Sequence, residues 1–208
     1  MGNTRNTRDT RSPFQHAPTP YTLAWLAVSL PLVIWDTGYV LGRPHTMPGG
    51  TAHWPLWTPY KLYGEVDHVY GWKALRDKSG FTAAQSSLNV AETVLYLAYL
   101  YIWRFRGGRD HAQAGKRPAA WVVGGRAGAL ALLLGFSAAV MTLSKTLLYW
   151  ANEYFSDFAN VGHNDFSTLL RLWIIPNGAW IVGSAYMVLS MGTEILDKLE
   201  RTARGKSD

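Results

Sequence analysis

Between Gln85 and Phe105 the chain reads QSSLNVAETVLYLAYLYIWRF, an apolar stretch long enough to cross a bilayer that nevertheless carries Glu92. A carboxylate facing lipid near a helix centre costs roughly 3 kcal/mol or more. Gln85, Asn89, Glu92 and Tyr96 recur at i, i+4, i+7 and i+11, which places them on one helical face. That face has to meet protein or enclosed water, so this stretch constrains whatever the rest of the chain builds around it.

Three further apolar blocks, at about 21–41, 119–150 and 168–196, join the 85–105 block to predict an all-α polytopic membrane protein, a four-transmembrane-helix bundle over residues 21–197. Ten tryptophans suit the membrane–water boundaries. Pro31 is a tolerated kink, and Gly124, Gly125, Gly128 and Gly135 allow close helix approach. Residues 42–80 are too long for a structureless loop and are expected to fold as a lumenal cap on the membrane domain. Residues 1–20 read as a disordered basic tail and 198–208 as a charged one. The first block lacks a clear cleavage signal and is expected to stay as an anchor.

The net charge of +6 does not point to nucleic acid, because the basic residues flank the apolar blocks. The N-terminal tail, the second connector and the C-terminal tail hold three, five and four Lys or Arg, against five and none in the first and third loops. This bias puts both termini in the cytoplasm. The chain has no cysteine, which excludes disulfides, a thiol nucleophile and thiolate metal sites. Its six histidines show no helical pairing of the zinc type, and only His68, beside Asp67, is placed to reach a membrane site. No cofactor or metal is called for.

Antiparallel helices allow a depth comparison. At about 1.5 Å per residue, Asp36 lies about 8 Å from the end of the first block and Glu92 about 10 Å from the start of the second. Lys145 and Asn177 lie about 8 and 12 Å inside the third and fourth, at ends facing the same side. Each helix thus contributes a costly polar residue to one layer. Desolvation favours the neutral form of a carboxyl, so an acid in such a layer can donate a proton to an alkene or epoxide while a second carboxylate removes one elsewhere. Trp180 offers a π face to cationic character, and Asn177 can orient an acid or a substrate hydroxyl.

WDTGYVL at Trp35–Leu41, KLYGEVDHVYG, AETVL at Ala91–Leu95, LLY at Leu147–Tyr149 and IPNGAW at Ile175–Trp180 follow one another in an order and spacing that resembles the EXPERA family of four-span membrane proteins, in particular its emopamil-binding-protein type sterol Δ8-Δ7 isomerases. The resemblance covers roughly residues 23–196. It implies an endoplasmic-reticulum membrane protein with a lumen-side cavity for a rigid hydrophobic molecule and Asp36 and Glu92 as the proton-handling pair. It also implies catalytic Asn177 and a substrate contact at Trp180, with Asp67 and Tyr70 on the family's loop residues. Tyr39, Asn89, Tyr96, Lys145 and Tyr149 complete the expected substrate-binding set. Leu32 stands where the isomerase has a His, Asp36 replaces a Glu, and the isomerase's additional N-terminal span is expected to be lacking.

The leading expectation is therefore an integral membrane enzyme that isomerises, cyclises or hydrates a sterol, terpenoid or polyketide, with epoxide opening included. The alternative from another class is a non-catalytic lipid-binding or trafficking protein of the same family; a structural subunit is the third. Partners are a hydrophobic small molecule and the bilayer, not nucleic acid, with a homodimer allowed.

Overall fold

The computed structural model describes residues 14–109 and 121–204. The expected basic tail up to residue 13, connector residues 110–120 with His111, Lys116 and Arg117, and residues 205–208 lie outside them. Six helices follow in order: α1 Pro20–Leu41, α2 Tyr60–Val66, α3 Trp72–Arg76, α4 Phe81–Arg106, α5 Gly125–Phe155 and α6 Phe166–Arg204. α1 starts where the sequence favours it: Pro20 occupies the first turn, and Thr19 caps by accepting from the Thr22 N–H at 3.1 Å. Within α6, a π turn at Leu170–Ile174 precedes Pro176, whose ring cannot donate to the helical ladder.

α1, α5 and α6 are long and apolar enough to cross a membrane. α4 is diluted by Gln85, Ser86, Ser87, Asn89, Glu92 and Thr93. Its polarity is sorted, however. Ser86, Asn89, Glu92, Tyr96 and Tyr99 are buried, while Leu88, Val90, Val94, Leu97 and Tyr101 are exposed. The other long helices also turn large apolar residues outward, among them Val28, Leu32, Leu133, Leu147, Val182 and Leu189. A surface that apolar is suited to lipid.

The boundaries differ from those the sequence suggested. α4 begins at Phe81, since nothing after Gly80 breaks the helix, and α5 begins at Gly125, later than the expected Ala119. Gly125 takes a φ of +58°, a turn glycine makes freely, and separates the helix from a strand. That strand, β3 (Trp121–Gly124), is β-branched at Val122 and Val123. It lies between β1 (Gln15–His16) and β2 (Gly108–Arg109) in an antiparallel sheet of order β1-β3-β2. The fold is thus mostly helical, not all-α, because these flanking segments satisfy their backbone groups by pairing. Residues 14–20 are structured for the same reason. His16 is buried, with Nδ1 2.9 Å from Glu194 Oε2 and Nε2 3.1 Å from Tyr99 Oη. α6 continues past Leu196 with Glu194–Lys198 and Glu200–Arg204 pairs, at 3.1 and 3.3 Å, along its last turns.

α5 packs between α4 and α6, and α1 packs on α4. The shared core holds Leu26, Leu30, Tyr99, Leu132, Ala138 and Met187. α1 meets α6 at its N-terminal end. The rings of Trp25 and Trp180 stand edge to face at 4.8 Å, those of Tyr21 and Tyr186 are 4.3 Å apart, and Tyr186 Oη is 3.0 Å from Thr19 Oγ1. Gly183 makes this approach possible, since a Cβ there would lie 2.4 Å from the Trp25 ring. Residues 42–80 fold against the opposite end. Tyr60 stacks on Tyr39 at 3.8 Å, Trp35 Nε1 donates to Leu56 O at 3.0 Å, and Arg43 Nη1 donates to Val69 O at 3.0 Å.

Replacing Gly183 by Val should force α1 away from α6 and cost about 1–3 kcal/mol. Gly178, whose Cβ would meet nothing within 4 Å, should accept Ala with no loss. Thermal unfolding in detergent micelles compares the two.

Candidate functional site

A cavity of about 560 Å³ lies among α1, α4, α5 and α6, beneath α2 and the loop after it. The Trp25–Trp180 pair lines it, as does Asp36, eleven residues further along α1. Much of the wall is apolar: Val28, Leu32, Val33, Leu62, Leu172 and Ala179.

The polar wall comes from all four long helices. Asp36 on α1 accepts from Tyr60 Oη at 2.6 Å, with Tyr70 Oη at 3.5 Å from its other oxygen. Burial first, and then the Asp36 charge, pushes both phenols well above the ordinary tyrosine range, so both remain donors. Asn89 on α4 and Lys145 on α5 meet across the cavity wall, Nζ donating to Oδ1. Asn177 on α6 donates from Nδ2 to the Trp173 carbonyl at 2.8 Å, supplying a bond inside the stretch that the π turn and Pro176 disturb. Tyr63 faces Asn177 and Tyr149, and burial raises its hydroxyl above the usual range.

Of the residues expected from sequence, the cavity wall holds Asp36, Tyr70, Asn89, Lys145, Tyr149, Asn177 and Trp180. Glu92, Tyr96, Tyr39 and Asp67 stand elsewhere. Glu92 is 3% exposed and lies behind Lys145, its Oε2 accepting from Lys145 Nζ and from Thr142 Oγ1, both at 2.9 Å. Its Oε1 is buried without a partner beside a second cavity of about 20 Å³, which Tyr96, Ser29 and Thr93 also line. That volume is about one water's worth. Lys145 and Trp180 border both cavities and form part of the partition.

Tyr39 is fully buried under the connection and donates to Tyr70 O at 2.9 Å. Asp67 is fully buried too and ties three segments together: it accepts from the Val69 N–H at 3.1 Å, from Trp173 Nε1 at 3.0 Å and from Tyr149 Oη. Burial pushes its carboxyl up to about 6, with the bond from Tyr149 opposing. His68 stacks on His163 at 4.1 Å, outside the cavity wall. Among the described residues no three His, Asp or Glu side chains group to hold a metal ion.

Sequence reasoning missed Tyr60, Tyr63, Trp25 and Thr142. Thr142 stands three residues before Lys145 on its helical face and was within reach of periodicity. The tyrosines required knowing where the connection folds back. Comparison of the chain with models of known families, with curated proteins and with solved structures finds no match.

Glu92→Gln leaves the Lys145 ammonium without its counter-charge and should cost about 3–5 kcal/mol, whereas Glu92→Gln combined with Lys145→Met should recover most of that loss in micelle unfolding. For Asp67, the folded state holds its proton more tightly than the unfolded chain, whose carboxyl titrates near the ordinary 3.9. The stability this contributes is full below that value and is lost as pH rises through about 6. Between pH 4 and pH 7 the wild type should therefore lose about 2–3 kcal/mol relative to Asp67→Asn, read as the difference between their unfolding curves.

Proposed function

We propose that this protein is an integral membrane enzyme that isomerises, cyclises or hydrates a lipophilic sterol, terpenoid or polyketide by acid–base chemistry, as the EXPERA resemblance suggests. The observation that carries this reading is the cavity of about 560 Å³, apolar over much of its wall, onto which Asp36, Tyr70, Lys145 and Asn177 converge. Its size falls within the range of small-molecule sites. A purely structural subunit would fill that layer with its own side chains.

In this reading α4 is a fourth membrane crossing. It is 26 residues long, about 39 Å, and turns its polar side inward and its apolar side outward. Residues 42–80 form the lumenal cap, the termini are cytoplasmic, and the membrane is that of the endoplasmic reticulum. Asp36 is the group that meets the substrate and exchanges a proton with it. The phenols of Tyr60 and Tyr70 orient it, and Asn177 and the Trp180 ring position the substrate. Glu92 acts through Lys145.

A second reading, a non-catalytic lipid binder, is favoured by one feature: Glu92 is engaged by an ion pair and does not reach the cavity wall. Asp36→Asn separates the two. The carboxamide preserves the cavity but cannot exchange the proton, so turnover of candidate lipids by membranes, followed by mass spectrometry of products, should fall about 10²–10⁴-fold. Product formation at the wild-type rate in that variant, with the protein accumulating normally, would sink the catalytic reading.

A further inference from the structure

Asp36 and Lys145 line one cavity wall, near enough for their charges to interact. Asp36 is an acceptor whose neighbouring hydroxyls, from Tyr60 and Tyr70, already point at it. Lys145 carries only donors. Two of its N–H groups go to Asn89 Oδ1 and Glu92 Oε2, which leaves the third unspent. Because an ammonium can only donate, the Asn89 oxygen must be the atom facing it, and the Asn89 NH2 is left as a further donor on the cavity side. This pair therefore presents positive charge and polar hydrogens, and Glu92 balances that charge from behind without entering the wall.

Resting on the reading of this cavity as a small-molecule site, we propose that Lys145 and Asn89 form an oxygen-anchoring subsite, and that the ligand is a rigid lipophile bearing an acceptor-only oxygen: a ketone or an epoxide. The oxygen seats on the Lys145 ammonium and the Asn89 amide, and the carbon skeleton lies along the apolar wall. The charge decides which atom of the ligand seats there. An ammonium stabilises negative charge that develops on a carbonyl or epoxide oxygen and repels cationic character in its vicinity. An alcohol gains less there, because its own O–H finds no acceptor on this pair.

The test uses a matched pair of probes, 5α-androstan-3-one and 5α-androstane, with affinities measured on the full chain in detergent micelles. A hydrogen bond from a charged donor should make the ketone bind about 10- to 100-fold tighter than the hydrocarbon. In the variant combining Lys145→Met with Glu92→Gln, which removes both buried charges together, that ratio should fall to the few-fold preference the Asn89 amide supports while hydrocarbon affinity is kept. Asn89→Leu, which leaves the ion pair in place, should lower the ratio several-fold. Equal affinity of the wild type for both probes overturns the anchoring subsite and leaves the cavity reading standing. A preference undiminished by the loss of Lys145 overturns the role assigned to that residue. Binding of neither probe to the wild type overturns the small-molecule reading itself and this inference with it.

Discussion

The ion pair between Glu92 and Lys145 is the interaction on which the arrangement of the long helices depends. Both side chains are under 10% exposed, and desolvating either ion alone costs several kcal/mol. The pair is tolerable only because Lys145 Nζ reaches Glu92 at 2.9 Å and Thr142 supports the same carboxylate oxygen. This fixes how α4 and α5 face each other. It also determines what the cavity presents, since the acid is drawn behind the base and the wall receives the ammonium.

A second constraint keeps the cavity open. α1 and α6 are held together at one end by the Trp25–Trp180 contact across Gly183, and the folded connection bonds to both, through Tyr60 to Asp36 and through Asp67 to Trp173. Asp67 anchors that connection to α5 and α6 through Tyr149 and Trp173, while Tyr60 and Tyr70 reach Asp36 on α1. The space between the helices is thus framed by hydrogen bonds made around it, and its rim and its site share residues. Tyr149 both holds Asp67 and lines the cavity, and Tyr70 is both an anchor and a donor to the candidate acid.

Much of this was legible from local pattern. The spacing of Asn89, Glu92 and Tyr96 marked the buried face of α4, and all three are buried. The depth comparison placed Asp36, Glu92, Lys145 and Asn177 in one layer; Asp36, Lys145 and Asn177 share one cavity wall, while Glu92 stands behind Lys145. Helix periodicity and rise per residue suffice for both, because they depend only on positions within a helix. The starts of α4 and α5 were displaced because the signals there, an unbroken Phe81–Ala84 and a left-handed Gly125, are weak in sequence.

The sequence by itself determined that four stretches form long helices, that α4 turns a polar face inward, and that acids, amide and amine gather at one depth. Tertiary structure alone decided which of them meets the cavity. Glu92 and Asp67 look equivalent to Asp36 as isolated carboxylates. Glu92 is claimed by a lysine on the neighbouring helix, and Asp67 by Tyr149 and Trp173 more than eighty residues away in the chain. Asp36 is held by two tyrosines yet remains on the wall. Partner choice among buried charges depends on distances between helices, and a one-dimensional pattern does not contain them.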